Sequence, residues 1–191
     1  FSVVMLLVIL TLIFCFDLFI HPGKSITFDG FVHMSTIAQF FAAIRDGEFP
    51  ARWANNFATY GFPLPLIAQQ TTSYVGAFFL WVTGSVVTSY NLVVTVGMFL
   101  SLLFMYRWLR FHVNSLPALV GTLFFAFAPY RIMNVYMRGA LPEFFSTVWI
   151  VLLLCAVEVM AQKRVVLASL LTGVSVCLLA LTHPMMLLTG G

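Results

Sequence analysis

The chain has 191 residues, 62% of them hydrophobic and only 8% charged, with a mean hydropathy of +1.04. Soluble domains run at about 25% charged residues, so this composition excludes an ordinary soluble globular domain and predicts an all-α polytopic membrane protein. The net charge of +3 rests on 9 basic and 6 acidic side chains, which is no basis for a nucleic-acid surface; basic groups here mark one membrane side or hold an anion.

Residues 1–20 are apolar over about the length that crosses a bilayer, with Asp17 tolerable near the interface. Lacking a charged leader region and a small-residue cleavage site, the stretch reads as a span or signal-anchor of what is expected to be the N-terminal fragment of a longer protein. His21, Pro22 and Gly23 should stop its helix. An outer loop over 21–63 follows, and it holds Asp29, Asp46 and Glu48, three of the 6 carboxylates. Within it, Phe31, Met34, Ala38, Phe41 and Ile44 recur at helical spacing with His33, Thr36 and Gln39 on the other side. That pattern predicts an amphipathic helix at the membrane interface, capped by Gly47 and kept from continuing by Pro50. Arg52-Trp53 and Tyr60-Gly61-Phe62-Pro63 form an aromatic, turn-rich segment suited to headgroup level.

Residues 64–87 are apolar but interrupted by Gln69-Gln70-Thr71-Thr72-Ser73, Gly76 and Gly84. Further spans are expected at 90–109, 116–129, 142–161 and 165–182, the third helix announced by Asn114-Ser115 and Pro117. Charge arbitrates the ambiguous segment. If 64–87 crosses, Arg107, Arg110, Lys163 and Arg164 share a side with the long loop. If it is re-entrant or interfacial, both basic clusters become cytoplasmic, as the positive-inside tendency prefers. The second choice also puts Asp29, Arg131, Arg138, Glu143 and His183 on one membrane face. Cys15, Cys155 and Cys177 sit in apolar runs without CxxC spacing and read as packing residues.

Two constellations carry candidate chemistry. Asp29 precedes a helix, which by itself suits an N-cap, but His33 one turn on is close enough to share a proton or a metal ion with it. Asp46 and Glu48 read as solvated loop charges. In PYRIMNVYMRGALPE, residues 129–143, Arg131, Asn134 and Arg138 fall at i, i+3 and i+7, one polar stripe on an α-helix. Two guanidinium groups on one face suit a phosphate or pyrophosphate, although interfacial arginines also anchor lipid headgroups. Glu143 begins a membrane helix and can pair with Arg138; His183, in a Thr-His-Pro turn, ends a span on the same side.

The order of FDGFVHMSTIAQFFAAIRDGEFPARW, YGFPLP, AFAPYRIMNVYMRGALPEFF and a later THP resembles the bacterial 6-pyruvoyl-tetrahydropterin synthase-related membrane domain family. That family is similar to the GT-C superfamily of integral membrane glycosyltransferases. The resemblance implies a GT-C-like helical bundle with juxtamembrane helices in its first outer loop. It also implies a polyprenyl-phosphate sugar donor, an extracytoplasmic site, and an envelope glycan, lipid or protein as acceptor. Asp29 matches the acidic residue that is catalytic or binds a divalent cation in that superfamily, with His33 as its partner. Arg131, Arg138 and His183 are then candidates for the donor phosphate, supported by Glu143, Asn134, Arg52 and Tyr60. Two departures stand out: a single Asp replaces the Asp-Glu or D-x-D pair, and LIAQQTTSY follows YGFPLP in place of a Pro-rich motif. Two other classes remain as alternatives, a transporter of lipid-linked precursors and a non-catalytic envelope-assembly protein.

Overall fold

The computed structural model describes residues 3–21, 23, 26–55, 59–67 and 69–189. Pro22, expected to end the first helix, lies outside them, as do parts of the expected 1–20 span and 21–63 loop. The regular secondary structure of the described residues is all helical. In order come α1 Val3–Cys15, α2 Asp17–Ile20, α3 Gly30–Arg45, α4 Leu64–Ile67, α5 Gln70–Thr83, α6 Val86–Leu109, α7 Ser115–Ala126 and α8 Pro129–Ile132. A π-helical turn over Met133–Arg138 follows, then α9 Leu141–Ala161, α10 Val165–Thr182 and α11 Pro184–Thr189.

Among the described residues, three helices are long and apolar enough to cross a membrane: α6, α9 and α10. A fourth crossing results if α7 and the segment Pro129–Arg138, bent by 44° from it, count as one. The expected span over 1–20 is instead interrupted at Phe16, leaving α1 with 13 residues, about 20 Å. Side chains from other helices take up carbonyls around the interruption. The Tyr136 hydroxyl donates to Phe14 O, and Asn91 Nδ2 donates to Leu18 O at 2.6 Å. The expected 116–129 helix also ends early, at Ala126, and bends through Phe127 and Ala128 into Pro129. α6 begins earlier than expected because Ser85 caps it, its Oγ accepting from Thr88 N at 3.3 Å.

α6 and α9 run parallel. Tyr90 Oη donates to Gly139 O, just before α9, at 3.2 Å, and farther along Cys155 reaches Phe104 O at 3.4 Å. Between them lies the main core, with Tyr90, Val94, Met98 and Leu102 facing Phe144, Phe145 and Val148, closed on one side by Leu7 and Phe14 of α1. α10 returns antiparallel to α9, and Trp149 Nε1 donates to Thr182 Oγ1 at 2.9 Å near its end.

The bundle therefore has two distinct ends. One carries the α6–α7 and α9–α10 turns, joined by His112 Nε2 and Glu158 Oε1 at 3.0 Å, together with Arg107, Arg110, Lys163 and Arg164. The other gathers the starts of α6 and α9, the end of α10, and the paired helices α3 and α5. α5 starts beside His33 and finishes where Thr83 Oγ1 meets Ser89 Oγ at 3.2 Å. Both its ends lie at the same end of the bundle, and its 14 residues extend about 21 Å, short of the roughly 30 Å hydrocarbon core.

α3 buries a mixed face: His33 and Thr36 lie inward with Met34, Ile37, Phe40 and Ala43, while Phe31 is 75% exposed. Gly47, with φ of +87°, takes the left-handed position after the helix, its N–H on Ile44 O at 3.0 Å.

The loop before α3 docks on the end of the π turn. Phe28 N and Asp29 N donate to Met137 O (3.3 Å) and Arg138 O (2.7 Å). Gly139 makes this possible: its φ is +68°, and a Cβ there would lie 2.4 Å from Thr27 Oγ1 and 2.7 Å from Gly30 N. Gly139→Ala is therefore expected to destabilise the protein by about 2–5 kcal/mol, from left-handed strain plus backbone overlap. Thermal melting of the purified protein checks it, and a shift no larger than that of Gly173→Ala, where a Cβ meets nothing within 4 Å, would refute it.

Candidate functional site

Helices that begin or end together bring their unpaired groups together. At the end of the bundle opposite the basic turns, Asp29, His33, Arg138, Glu143 and His183 line one cavity of about 260 Å³ with Gln69. Five of the residues singled out by sequence thus meet, drawn from the starts of α3 and α9 and the ends of the π turn and α10.

Asp29 occupies the N-cap position of α3, yet its side chain makes no capping bond. Thr27 Oγ1 accepts from Gly30 N instead, at 3.2 Å. The exposed carboxylate is left to the cavity. His33, one turn on, is 7% exposed, and burial pushes its imidazole down to about 4; Asp29 and a hydrogen bond with Gln69 act against that, and His183 acts with it. His33 is accordingly neutral at pH 7. His183 follows the last turn of α10, and its Nδ1 accepts from Met186 N at 3.3 Å. In the neutral ring that bond puts the proton on Nε2.

Arg138 lines the same cavity. Its Nη1 and Nη2 donate to Glu143 Oε1 (2.7 Å) and Oε2 (2.8 Å), a bidentate pair,. Asn134 knits the pair together, its Oδ1 accepting from Arg138 Nη1 at 2.8 Å and its Nδ2 donating to Glu143 Oε1 at 3.3 Å. Tyr130 Oη also donates to Glu143 Oε1. Arg138 keeps 36% of its side chain exposed against 12% for Glu143, so the guanidinium is the more accessible partner.

Arg131 does not join them, which corrects the expected stripe. The i, i+7 relation assumes an α-helical period, and the π turn widens the helix between the two arginines, rotating Arg138 off the Arg131 face. Arg131 points into the bundle and is 3% exposed. Its guanidinium donates to Ser101 Oγ (2.7 Å), Thr147 Oγ1 (2.8 Å) and Met98 Sδ (3.1 Å), and lies over the rings of Phe125 and Phe144. Arg52 and Tyr60 are also not among the cavity's lining residues. Arg52 N binds Glu48 Oε1 at 3.0 Å, and Tyr60 is 92% exposed on a turn closed by the Ala54–Phe62 bridge.

Sequence reading missed Gln69 and Tyr130. Gln69 has a left-handed backbone, φ +62°, at the break between α4 and α5, and its polarity inside an apolar segment was the available signal. Tyr130 stood in the PYR motif beside the arginine that drew attention.

A divalent cation held by Asp29 and His33 finds too few donors here. Among the described residues no group of three or more His, Cys, Asp and Glu side chains is placed to hold a metal. The other acid of the cavity, Glu143, is engaged by Arg138, Tyr130 and Asn134. What the arrangement offers is one cavity lined by a carboxylate without a capping bond, a guanidinium paired with Glu143, and two imidazoles. No family model, curated protein or solved structure matches the chain.

The buried His33 makes stability depend on pH. Its folded value near 4 lies below the ordinary 6.5, so between these values the unfolded chain holds a proton that the folded one excludes. Stability is therefore full above about 6.5 and is lost as pH falls towards about 4, by at most about 3 kcal/mol. Melting measured at pH 7 and pH 4.5 should show a smaller loss for His33→Gln than for the unmodified chain. Equal losses would mean that His33 does not carry the effect.

Proposed function

We propose that the chain is a membrane glycosyltransferase of the GT-C-like class, moving a sugar from a polyprenyl-phosphate donor to a cell-envelope acceptor on the extracytoplasmic face. The observation that carries this reading is the cavity that Asp29 and Arg138 both line, a carboxylate free of its capping duty together with an accessible guanidinium. The sidedness follows from charge. Arg107, Arg110, Lys163 and Arg164 collect at the other end of the bundle, which the positive-inside tendency assigns to the cytoplasm.

On this reading Asp29 takes the proton of the acceptor hydroxyl as its oxygen bonds to the sugar's anomeric carbon. The bond from that carbon to the donor phosphate breaks, and the phosphate leaves with the electron pair, inverting the centre. A placed base contributes roughly 10²–10⁴-fold to such a step. Donors fixed on the leaving phosphate act where charge grows; Arg138 and His183 Nε2, which line the cavity, are the candidates for that role. His33, being neutral, serves as a hydrogen-bonding partner to the site rather than as a cation. Arg131 has no part in the transfer and instead fixes α8 to α6 and α9.

A transporter would carry polar groups along a path through the bundle. The buried charge there, Arg131, is closed off by Ser101, Thr147 and Met98, which favours chemistry at one end. Asp29→Asn is expected to lower transfer from polyprenyl-phosphate sugars by about 10²–10⁴-fold and leave the melting temperature unchanged, since the side chain makes no capping bond. Near-normal transfer by this variant would remove Asp29 as the base. Absence of transfer by the unmodified, folded full-length protein with every polyprenyl-phosphate sugar supplied would remove the enzymatic reading itself.

A further inference from the structure

A second cavity lies on the outward side of α3 and α5, toward the ends of those helices remote from Asp29. Its volume is about 520 Å³, and Phe41, Ile44, Tyr74, Ala77, Phe78 and Trp81 line it, with Arg45 as the charged member. We propose that this groove binds an anionic phospholipid, one acyl chain lying between α3 and α5 and the phosphate resting on Arg45. The site is independent of the reaction proposed above.

The groove follows from how the two helices meet. Gly76 of α5 sits so close to α3 that an added Cβ would be 2.5 Å from Ile37, and Phe40 packs edge-on against Tyr74 at 4.9 Å. These contacts close the inner side of the pair. Outside them, the larger side chains Phe41, Ile44, Phe78 and Trp81 form walls around Ala77, whose small side chain leaves the floor low. From Tyr74 to Trp81 is two turns of α5, about 11 Å, which an extended alkyl chain fills lengthwise. Phe78 and Trp81 are 57% and 72% exposed, a surface that water would disfavour and lipid would cover. Trp81 also has the amphipathic character of residues that settle at headgroup level.

Arg45 supplies the selectivity. It stands exposed in the last turn of α3, and it belongs to none of the ion pairs among the described residues. Asp46 and Glu48 follow it, but Glu48 Oε1 is turned to Arg52 N. A phosphate is the group a guanidinium fork accepts best, and a zwitterionic headgroup would cancel part of that attraction. The phosphate at Arg45 is also a different one from any held in the Asp29 cavity, because α3 has 16 residues and separates the two by about 24 Å.

The test is native mass spectrometry of the full-length protein titrated with phosphatidylglycerol and, separately, phosphatidylcholine. The expected result is about five-fold stronger retention of phosphatidylglycerol, the effect of one basic residue near an anionic lipid. Arg45→Gln should remove that preference. Asp29→Asn should not, and Arg45→Gln should in turn leave any sugar transfer intact, so the two readings fail separately. A second measurement places the chain: phosphatidylglycerol brominated on its acyl chains should quench the emission component lost in Trp81→Phe. Equal retention of both lipids would overturn the proposal, as would an unchanged preference in Arg45→Gln. So would an unquenched Trp81, or displacement of phosphatidylglycerol by an equimolar polyprenyl phosphate, which would hand the groove to a different lipid.

Discussion

The site depends on one backbone joint, in which the end of one helical segment satisfies the start of another. A helix leaves its last carbonyls and its first N–H groups without internal partners. Here Met137 O and Arg138 O, at the end of the π turn, accept from Phe28 N and Asp29 N, just before α3. Gly139 keeps the approach open, and its own carbonyl accepts from Tyr90. Segments more than a hundred positions apart are thus tied by main-chain bonds, and their side chains come with them. The joint also explains the state of Asp29. With Thr27 on Gly30 N, the aspartate has no structural bond to make and its carboxylate remains available.

The two arginines of the PYR…RGA segment show how a few residues of helix geometry divide charge between structure and chemistry. Arg131 is sealed among Ser101, Thr147, Met98 and two phenylalanine rings, with no acidic partner among the described ion pairs. Burying a cation without a counter-charge is costly, and hydroxyl donation plus two aromatic faces offset only part of it. In return, one side chain binds α8 to α6 and α9 at once and so holds the base of the π turn. Seven positions later, Arg138 comes out at the cavity with its charge matched by Glu143. The widened turn between them is what sends one inward and the other to the site.

The legible parts of the chain were those where local pattern and final packing agree. The helices expected at 142–161 and 165–182 are observed at Leu141–Ala161 and Val165–Thr182, because each is a continuous apolar run with a clear stop. The 1–20 run failed that logic: its composition suits a span, but Asn91 and Tyr136, remote in sequence, take up carbonyls on either side of the interruption. Charge placement gathers Asp29, Arg131, Arg138, Glu143 and His183 on one side, and helical spacing adds His33 one turn from Asp29; all but Arg131 line the cavity. The exclusion of Arg131 was not legible, since an α-helical period was assumed where a π turn occurs. Gln69 was hidden for a related reason, its place in the cavity being set by a left-handed residue between two short helices whose boundaries no periodicity marks.

Charge balance in the cavity puts a condition on any anionic donor. Arg138 and Glu143 cancel, His33 is neutral, and Asp29 adds a formal negative charge, so an incoming phosphate meets no net attraction as the groups stand. Attraction appears only if Arg138 shifts its hydrogen bonds from Glu143 to the phosphate. The geometry tolerates that exchange, because Glu143 would retain Tyr130 and Asn134 as donors and would not be left an uncompensated buried acid. On the proposed reading, the Arg138–Glu143 pair is thus a resting partner for a cation whose working partner is the substrate, and Asn134, bonded to both members, steadies the carboxylate while the arginine moves.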